Sequence, residues 1–147
     1  MEENITCTRR IQFCAGHRVM RHEGHCKHFH GHNYVAYFTA QCVEGNTLDS
    51  LGRVIDFSVL KERIGGWIET NWDHGFLVWE DDNEALEALK MVGDQKIYQT
   101  PFNPTAEQIA SFLLNEVCPL LLRDTGVRVV MVKVEETENC HAIASIK

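Results

Sequence analysis

Four of the eight histidines in this 147-residue chain (His25, His28, His30 and His32) and one of its six cysteines, Cys26, fall between residues 24 and 34. His30 and His32 are two apart, and an alternation follows them: Tyr34, Ala36, Phe38, Ala40 and Cys42 against Val35, Tyr37, Thr39 and Gln41. That is the pattern of a β-strand, on which residues two apart share a face. Both imidazoles would therefore aim at one point, as a metal requires. A third ligand must come from elsewhere, and His17, closing Phe13-Cys14-Ala15-Gly16-His17, is the natural candidate. Three histidines with an open fourth position make a catalytic zinc site, whereas structural zinc is closed by cysteines. Cys26 stands close enough upstream to act as a reactive group rather than a ligand. The competing reading is a polar surface loop, since one His-x-His is a weak signal.

Two further groups could do chemistry. Asp73-His74 pairs a carboxylate with an imidazole that titrates near neutrality, the makings of a general acid or base, although a polar helix terminus has the same composition. Glu136 ends an apolar strand on the face of Val130, Val132 and Val134. A carboxylate there can hold a guanidine-like or aminopyrimidine edge through two hydrogen bonds, or simply mark the strand's exit into water. His22-Glu23-Gly24-His25 is not a zinc-protease motif, because its histidines are three apart rather than four. The chain has no glycine-rich phosphate loop and no Gly-x-Ser-x-Gly elbow.

The elements that must position these groups follow from periodicity. Residues 5–13 alternate, with Ile5, Cys7, Ile11 and Phe13 on the buried side, and a loop from Ala15 to Phe29 leads into the second strand, ending near Val43. Asp56 or Ser58 caps a helix with the stripe Leu60, Ile64, Trp67 and Ile68, interrupted by Gly65-Gly66. Asn71 to Gly75 ends it. Ala85, Leu86 and Leu89 suggest a short surface helix, and residues 96–100 a minor strand. Pro104 fits a helical first turn, and Thr105 with Gln108 has capping-box spacing. The stripe Ile109, Phe112, Leu113, Val117, Leu120 and Leu121 follows. Val127–Glu136 and Cys140–Ile146 are the last main strands. Strand, strand, helix, helix, strand, strand predicts an α+β fold, one domain over 1–147, with both helices on one face of a four-stranded antiparallel sheet.

Bulk properties exclude several classes. A net charge of −7 opposes nucleic acid as the main partner. No apolar run reaches membrane-spanning length, and the acidic start is unlike a signal peptide. Scattered cysteines without a Cys-x-x-Cys pair fit a reducing cytoplasm. Arg9, Arg10, Arg18, Arg21 and Lys27 cluster in sequence around the histidines, which suits an anionic small substrate, or is merely a solvated basic face.

Phe13-x-Ala15-x-His17, Cys26 before His30-Gly31-His32-Asn33, Val54-Ile55-Asp56-Phe57, Asp73-His74, Asn103-Pro104-Thr105-x-Glu107 and Glu136-Thr137 occur in that order along most of the chain. Together they resemble the 6-pyruvoyltetrahydropterin synthase/6-carboxytetrahydropterin synthase family. The resemblance implies a tunnelling fold, ββααββ units joined into an oligomeric barrel, as a hexamer built from two trimers. It implies Zn2+ on His17, His30 and His32, Cys26 as the catalytic cysteine, and Asp73 and His74 as a catalytic pair supplied by a neighbouring subunit. It implies Glu136 as the pterin anchor, with Thr105 and Glu107 nearby. The implied substrate is 7,8-dihydroneopterin triphosphate and the first-choice product 6-carboxy-5,6,7,8-tetrahydropterin, of the queuosine pathway. Triphosphate elimination to 6-pyruvoyltetrahydropterin is the sister alternative, and a non-enzymatic metal-binding domain of the same fold the third. His25 and His28 are extra to the pattern, the last strand has Ala142-Ile143-Ala144 where a tyrosine is usual, and residues 80–100 carry no implied role.

Overall fold

The computed structural model describes residues 3–147. Six strands form one sheet: β1 (Cys7–His17), β2 (His30–Cys42), β3 (Gly75–Trp79), β4 (Ile97–Thr100), β5 (Val127–Thr137) and β6 (Cys140–Ser145), in the order β4-β3-β1-β2-β5-β6. β1, β2, β5 and β6 pair antiparallel, whereas β3 runs parallel to both β1 and β4. The expected four-stranded antiparallel sheet is thus corrected to a six-stranded mixed one. β3 escaped notice because Gly75-Phe76-Leu77-Val78-Trp79 is a short, unbroken apolar run. Such runs are typical of parallel strands covered on both faces and carry no alternation to read. β1 also continues past residue 13 to His17, so three residues expected in the loop, Ala15, Gly16 and His17, are paired, and Ile5 lies outside the strand, exposed.

Among the described residues, three longer helical segments and a single 3-10 turn at His25–Lys27 connect the strands. α1 (57–71) begins at Phe57–Leu60, widens over Lys61–Gly65 and closes with Gly66–Asn71. Asp56 caps it, its carboxylate accepting from the Ser58 N–H at 2.9 Å. Leu60, Ile64, Ile68 and Trp72 are buried at an unbroken spacing of four. In a regular helix that spacing drifts around the axis, and the widened turn holds the four on one side. Trp67, expected in the stripe, is half-buried, and Trp72 fills the core instead.

α2 (Asn83–Lys90) and α3 (106–121) follow. Thr105 caps α3 by accepting from the Gln108 N–H at 3.2 Å. Pro104 lies ahead of that cap rather than in the first turn. α3 widens over Leu113–Val117, where the Cys118 N–H reaches the Leu113 carbonyl, just before Pro119, which has no N–H to offer. The extra residue moves the buried face on to Leu114, Val117, Cys118 and Leu122, so Leu120 points to water.

The two long helices cover one face of the sheet, as expected. Leu77 joins their core, but its strand neighbours Phe76 and Val78 pack with Ala85, Leu86, Leu89 and Ile97 in a second cluster. Successive strand residues face opposite ways, so α2 covers the other face of the β3–β4 corner. "Helices on one face" therefore holds for α1 and α3 only. Among the described residues no helix is long and apolar enough to cross a membrane.

Candidate metal centre and its surroundings

Strand register builds the histidine cluster. β1 and β2 pair His17 with His30 and Ala15 with His32, so His17 faces one histidine directly and the other diagonally. The ring centroids form a near-regular triangle of 4.6, 4.9 and 5.1 Å. The stretch Ala15–His17 is also where β3 pairs with β1, so His17 sits on a strand held from both sides. Gly16 is required there: a Cβ would lie 2.5 Å from the Phe76 ring that crosses it.

Hydrogen bonds assign the ring nitrogens. His17 Nδ1 lies 2.7 Å from the Pro104 carbonyl and His30 Nδ1 2.7 Å from the His28 carbonyl, so each donates its N–H outward and leaves the Nε2 lone pair free. Such outer partners are what metal-binding histidines have. His17 Nε2 and His32 Nε2 are buried without any hydrogen-bond partner. Unpaired buried nitrogens cost on the order of 1–3 kcal/mol each, and a bound cation removes that cost. Burial lowers the His17 pKa to about 4, against the Pro104 bond that raises it, with His30 and His32 adding to the fall. His32 is lowered by burial and then by His30. Imidazoles whose Nε2 atoms converge fit a tetrahedral zinc-type ion.

Glu136 faces the triangle. β5 and β6 pair Glu135 with His141 and then Thr137 with Cys140, so Glu136 is the extra residue of a bulge. An earlier irregularity sets Val129 opposite Ala40 and Met131 opposite Thr39. Val130 is therefore the skipped residue and does not share Glu136's face as expected; Val132 and Val134 do. The Glu136 oxygens stand 4.0 Å from His17 Nε2 and 3.7 Å from His32 Nε2. Those distances exceed a hydrogen bond, and the depressed histidines are not ion-pair partners at neutral pH. Burial raises the Glu136 pKa, His30 opposes the rise, and Glu107 reinforces it.

Cys26 opens onto a cavity of about 510 Å³ shared with Glu136, Thr105, Glu107, His22 and His141. Its loop is fastened at several points. The Cys26 carbonyl accepts from the Val19 N–H at 2.7 Å, and the Asn103 side-chain amide holds both backbone groups of Met20 at 3.0 Å. Arg18 grips Asp82 through two nitrogens at 2.6 and 2.7 Å and lies over the Phe29 ring, which packs on Phe76. Asp82 also caps α2, so the 80–100 segment anchors this loop.

Asp73 and His74 lie elsewhere. The His74 N–H donates to the Cys14 carbonyl at 2.7 Å, and the Cys14 N–H donates to Asp73 Oδ1 at 3.0 Å. His74 adopts a left-handed φ of 62°, with Nδ1 3.0 Å from Asp73 Oδ2. Burial pushes the Asp73 carboxyl up, but the Cys14 and His74 hydrogen bonds outweigh it and leave it below its ordinary value. Cys14 is three residues from His17 on β1 and so faces the opposite side of the sheet.

The structure therefore brings His17, His30, His32, Cys26, Glu136, Thr105 and Glu107 to one region and leaves Asp73 and His74 on the other face. Thr105 spends its hydroxyl on the α3 cap. His28 contributes a carbonyl that orients His30, and His25 lies exposed beside Cys26. Sequence reasoning missed Tyr34, whose buried hydroxyl has no partner and whose ring stands 5.3 Å from His32. Alternation along β2 could have found it. Cys14's contact with Asp73 spans 59 residues and left no local signal.

The profile of the family described as 6-pyruvoyl tetrahydropterin synthase matches residues 6–146. The 6-carboxy-5,6,7,8-tetrahydropterin synthase of Rickettsia typhi is 43% identical over 136 residues, covering 92% of this chain and 96% of that protein. The enzyme of the same name from Helicobacter pylori is 32% identical, over 95% and 72%. An uncharacterized protein from Wolinella succinogenes superposes with a TM-score of 0.80 at 23% identity, over 99% and 100%. The Caenorhabditis elegans 6-pyruvoyl tetrahydropterin synthase does so with 0.68 at 20%, over 99% and 97%. With sequence profile and sheet architecture in agreement over nearly the whole length, this chain belongs to the 6-pyruvoyl tetrahydropterin synthase family.

Proposed function

We propose that the protein is a zinc-dependent lyase converting 7,8-dihydroneopterin triphosphate to 6-carboxy-5,6,7,8-tetrahydropterin. The observation that carries this reading is the set of three histidines with free Nε2 atoms beside Cys26 and Glu136. The names of the relatives at 40–43% identity support the carboxy product over the pyruvoyl one. His17, His30 and His32 would hold the zinc ion, which would supply Lewis acidity toward a side-chain hydroxyl of the substrate. Cys26 Sγ takes a proton from the substrate carbon chain, the role of a general base. Glu136 accepts the ring N–H and exocyclic amine of the pterin, and its partial burial strengthens both bonds.

The second proton is moved by His74 Nε2, with Asp73 holding Nδ1. Since His74 and Cys26 lie on opposite sides of the sheet, a neighbouring subunit must present the pair. The open edges suit that assembly. β6 is unpaired on one side, and β1 meets β3 only at Ala15–His17, leaving Cys7–Cys14 free along its other edge. Joining such edges between subunits gives a closed ring, read here as a hexamer of two trimers.

The test is incubation of the zinc-loaded protein with 7,8-dihydroneopterin triphosphate and identification of the product by mass. The 6-carboxy compound is expected. The 6-pyruvoyl compound would overturn the product assignment, and no conversion would overturn the lyase reading. Cys26→Ala should keep the metal and lose turnover by about 10²–10⁴-fold. Loss of the metal instead would make Cys26 a ligand.

A further inference from the structure

Three side chains on the face away from the histidine triangle have the geometry of a second metal site. Cys14 Sγ lies 3.8 Å from His74 Nε2 and 3.8 Å from Asp73 Oδ1. One donor atom from each of Cys14, Asp73 and His74 lies within 4.8 Å of the others. Around tetrahedral zinc, with Zn–S about 2.3 Å and Zn–N about 2.0–2.1 Å, neighbouring donors are ~3.5 Å apart. The sulfur's two separations are close to that value, and the remaining pair lies within 4.8 Å. His74 Nδ1 is tied to Asp73 Oδ2, which leaves Nε2 as the free lone pair on the side facing the sulfur. The site opens to solvent, with the His74 side chain 78% exposed.

We infer that Cys14, Asp73 and His74 form a second, weaker site for a borderline-soft divalent cation of the zinc class, whose occupancy withdraws His74 from proton transfer. The inhibitory half rests on the function proposed above; the binding does not. Binding forms a metal–sulfur bond, and the Cys14 thiol proton passes to solvent. The ion takes the Nε2 lone pair that a proton would otherwise occupy. One exposed imidazole, one thiolate and one carboxylate hold it, without the buried, preoriented rings of the histidine centre.

The experiment is cobalt(II) titration of the metal-free protein, read by the thiolate-to-cobalt charge-transfer band in the near ultraviolet. Two equivalents are expected, the first without that band and the second with it. Cys14→Ser should lose the band and one equivalent. His74→Asn, a residue that accepts a left-handed φ, should lose them too. The band should survive in Cys26→Ala and in the His30→Ala/His32→Ala double variant, which loses the band-free equivalent instead. No band in the wild type, or a band kept in Cys14→Ser and lost in Cys26→Ala, overturns the site. Retention of both equivalents in the double variant would instead count against the three-histidine centre. Zinc beyond one equivalent should lower turnover of the wild type but not of Cys14→Ser, and equal inhibition of both overturns the inhibitory role.

Discussion

The histidine triangle and the Cys14–Asp73–His74 cluster sit three residues apart along β1, on opposite faces of one sheet. Beneath the long helices, His17 is 1% exposed and its imidazole is neutral, with Nε2 lacking any partner in the protein. On the far face His74 is largely in water, and Asp73 is a hydrogen-bonded carboxylate held below its ordinary pKa. Burial thus leaves one set of side chains neutral with unpaired nitrogens, while exposure leaves the other in contact with water. The lesson is that the same residue types, on one strand, take different chemistry from which side of the sheet they face.

Removing a member of each cluster should sharpen the contrast most. His32→Ala should weaken the tight zinc equivalent by more than the roughly 10–100-fold that loss of an outer partner costs. Asp73→Asn should leave that equivalent in place while turnover falls by about 10²–10⁴-fold. Metal analysis after dialysis, with steady-state rates, checks both. Equal zinc loss in the two variants would show that the clusters are not independent.

Acid separates them by pH window. In the metal-free protein His17 titrates near 4 in the folded state against 6.5 unfolded, so the unfolded chain binds more protons between those values. The stability is complete above about 6.5 and lost as pH falls toward 4, worth about 3 kcal/mol. Glu136, raised by burial, opposes this over the overlapping range, so the observed fall is smaller. Asp73 is depressed below 3.8, so its contribution is present above that value and lost only below it. Urea unfolding from pH 7 to 3 should show two stages, with Asp73→Asn flattening the lower one alone. Flattening of the upper stage by Asp73→Asn would break the distinction.

Smaller effects test the inner cluster's supports. Glu136→Gln should weaken pterin binding by about 1–3 kcal/mol, because one acceptor becomes a donor. Zinc content should be unchanged in a dialysed sample; a fall would make Glu136 part of the metal's shell. Thr105→Ala removes the α3 cap at a cost of about 1 kcal/mol. It also loosens the turn whose Pro104 carbonyl orients His17, so a modest loss of zinc affinity should accompany the lower Tm. An unchanged affinity would detach the cap from the metal centre.

His30, His32 and the β2 alternation were legible because strand periodicity is local, and each residue's face follows from its neighbours. The caps at Asp56 and Thr105 were legible for the same reason, since a cap is closed within three residues. His17 as a third candidate donor could be named from its place after a strand, but the β1–β2 register that sets it opposite His30 is a long-range fact. β3 was hidden because it is paired by strands distant in sequence and covered on both faces, so nothing in Gly75–Trp79 alternates. The widened turns in α1 and α3 changed which residues are buried, and composition alone does not announce them. The sequence by itself determined the candidate donor types, the strand faces and the helix starts, because these depend on contacts a few residues apart. Only the tertiary structure decided that Asp73 and His74 face away from Cys26, that Cys14 joins them, and that Glu136 turns toward the histidines at a bulge. Each of those depends on pairing between segments whose relative register no local pattern encodes.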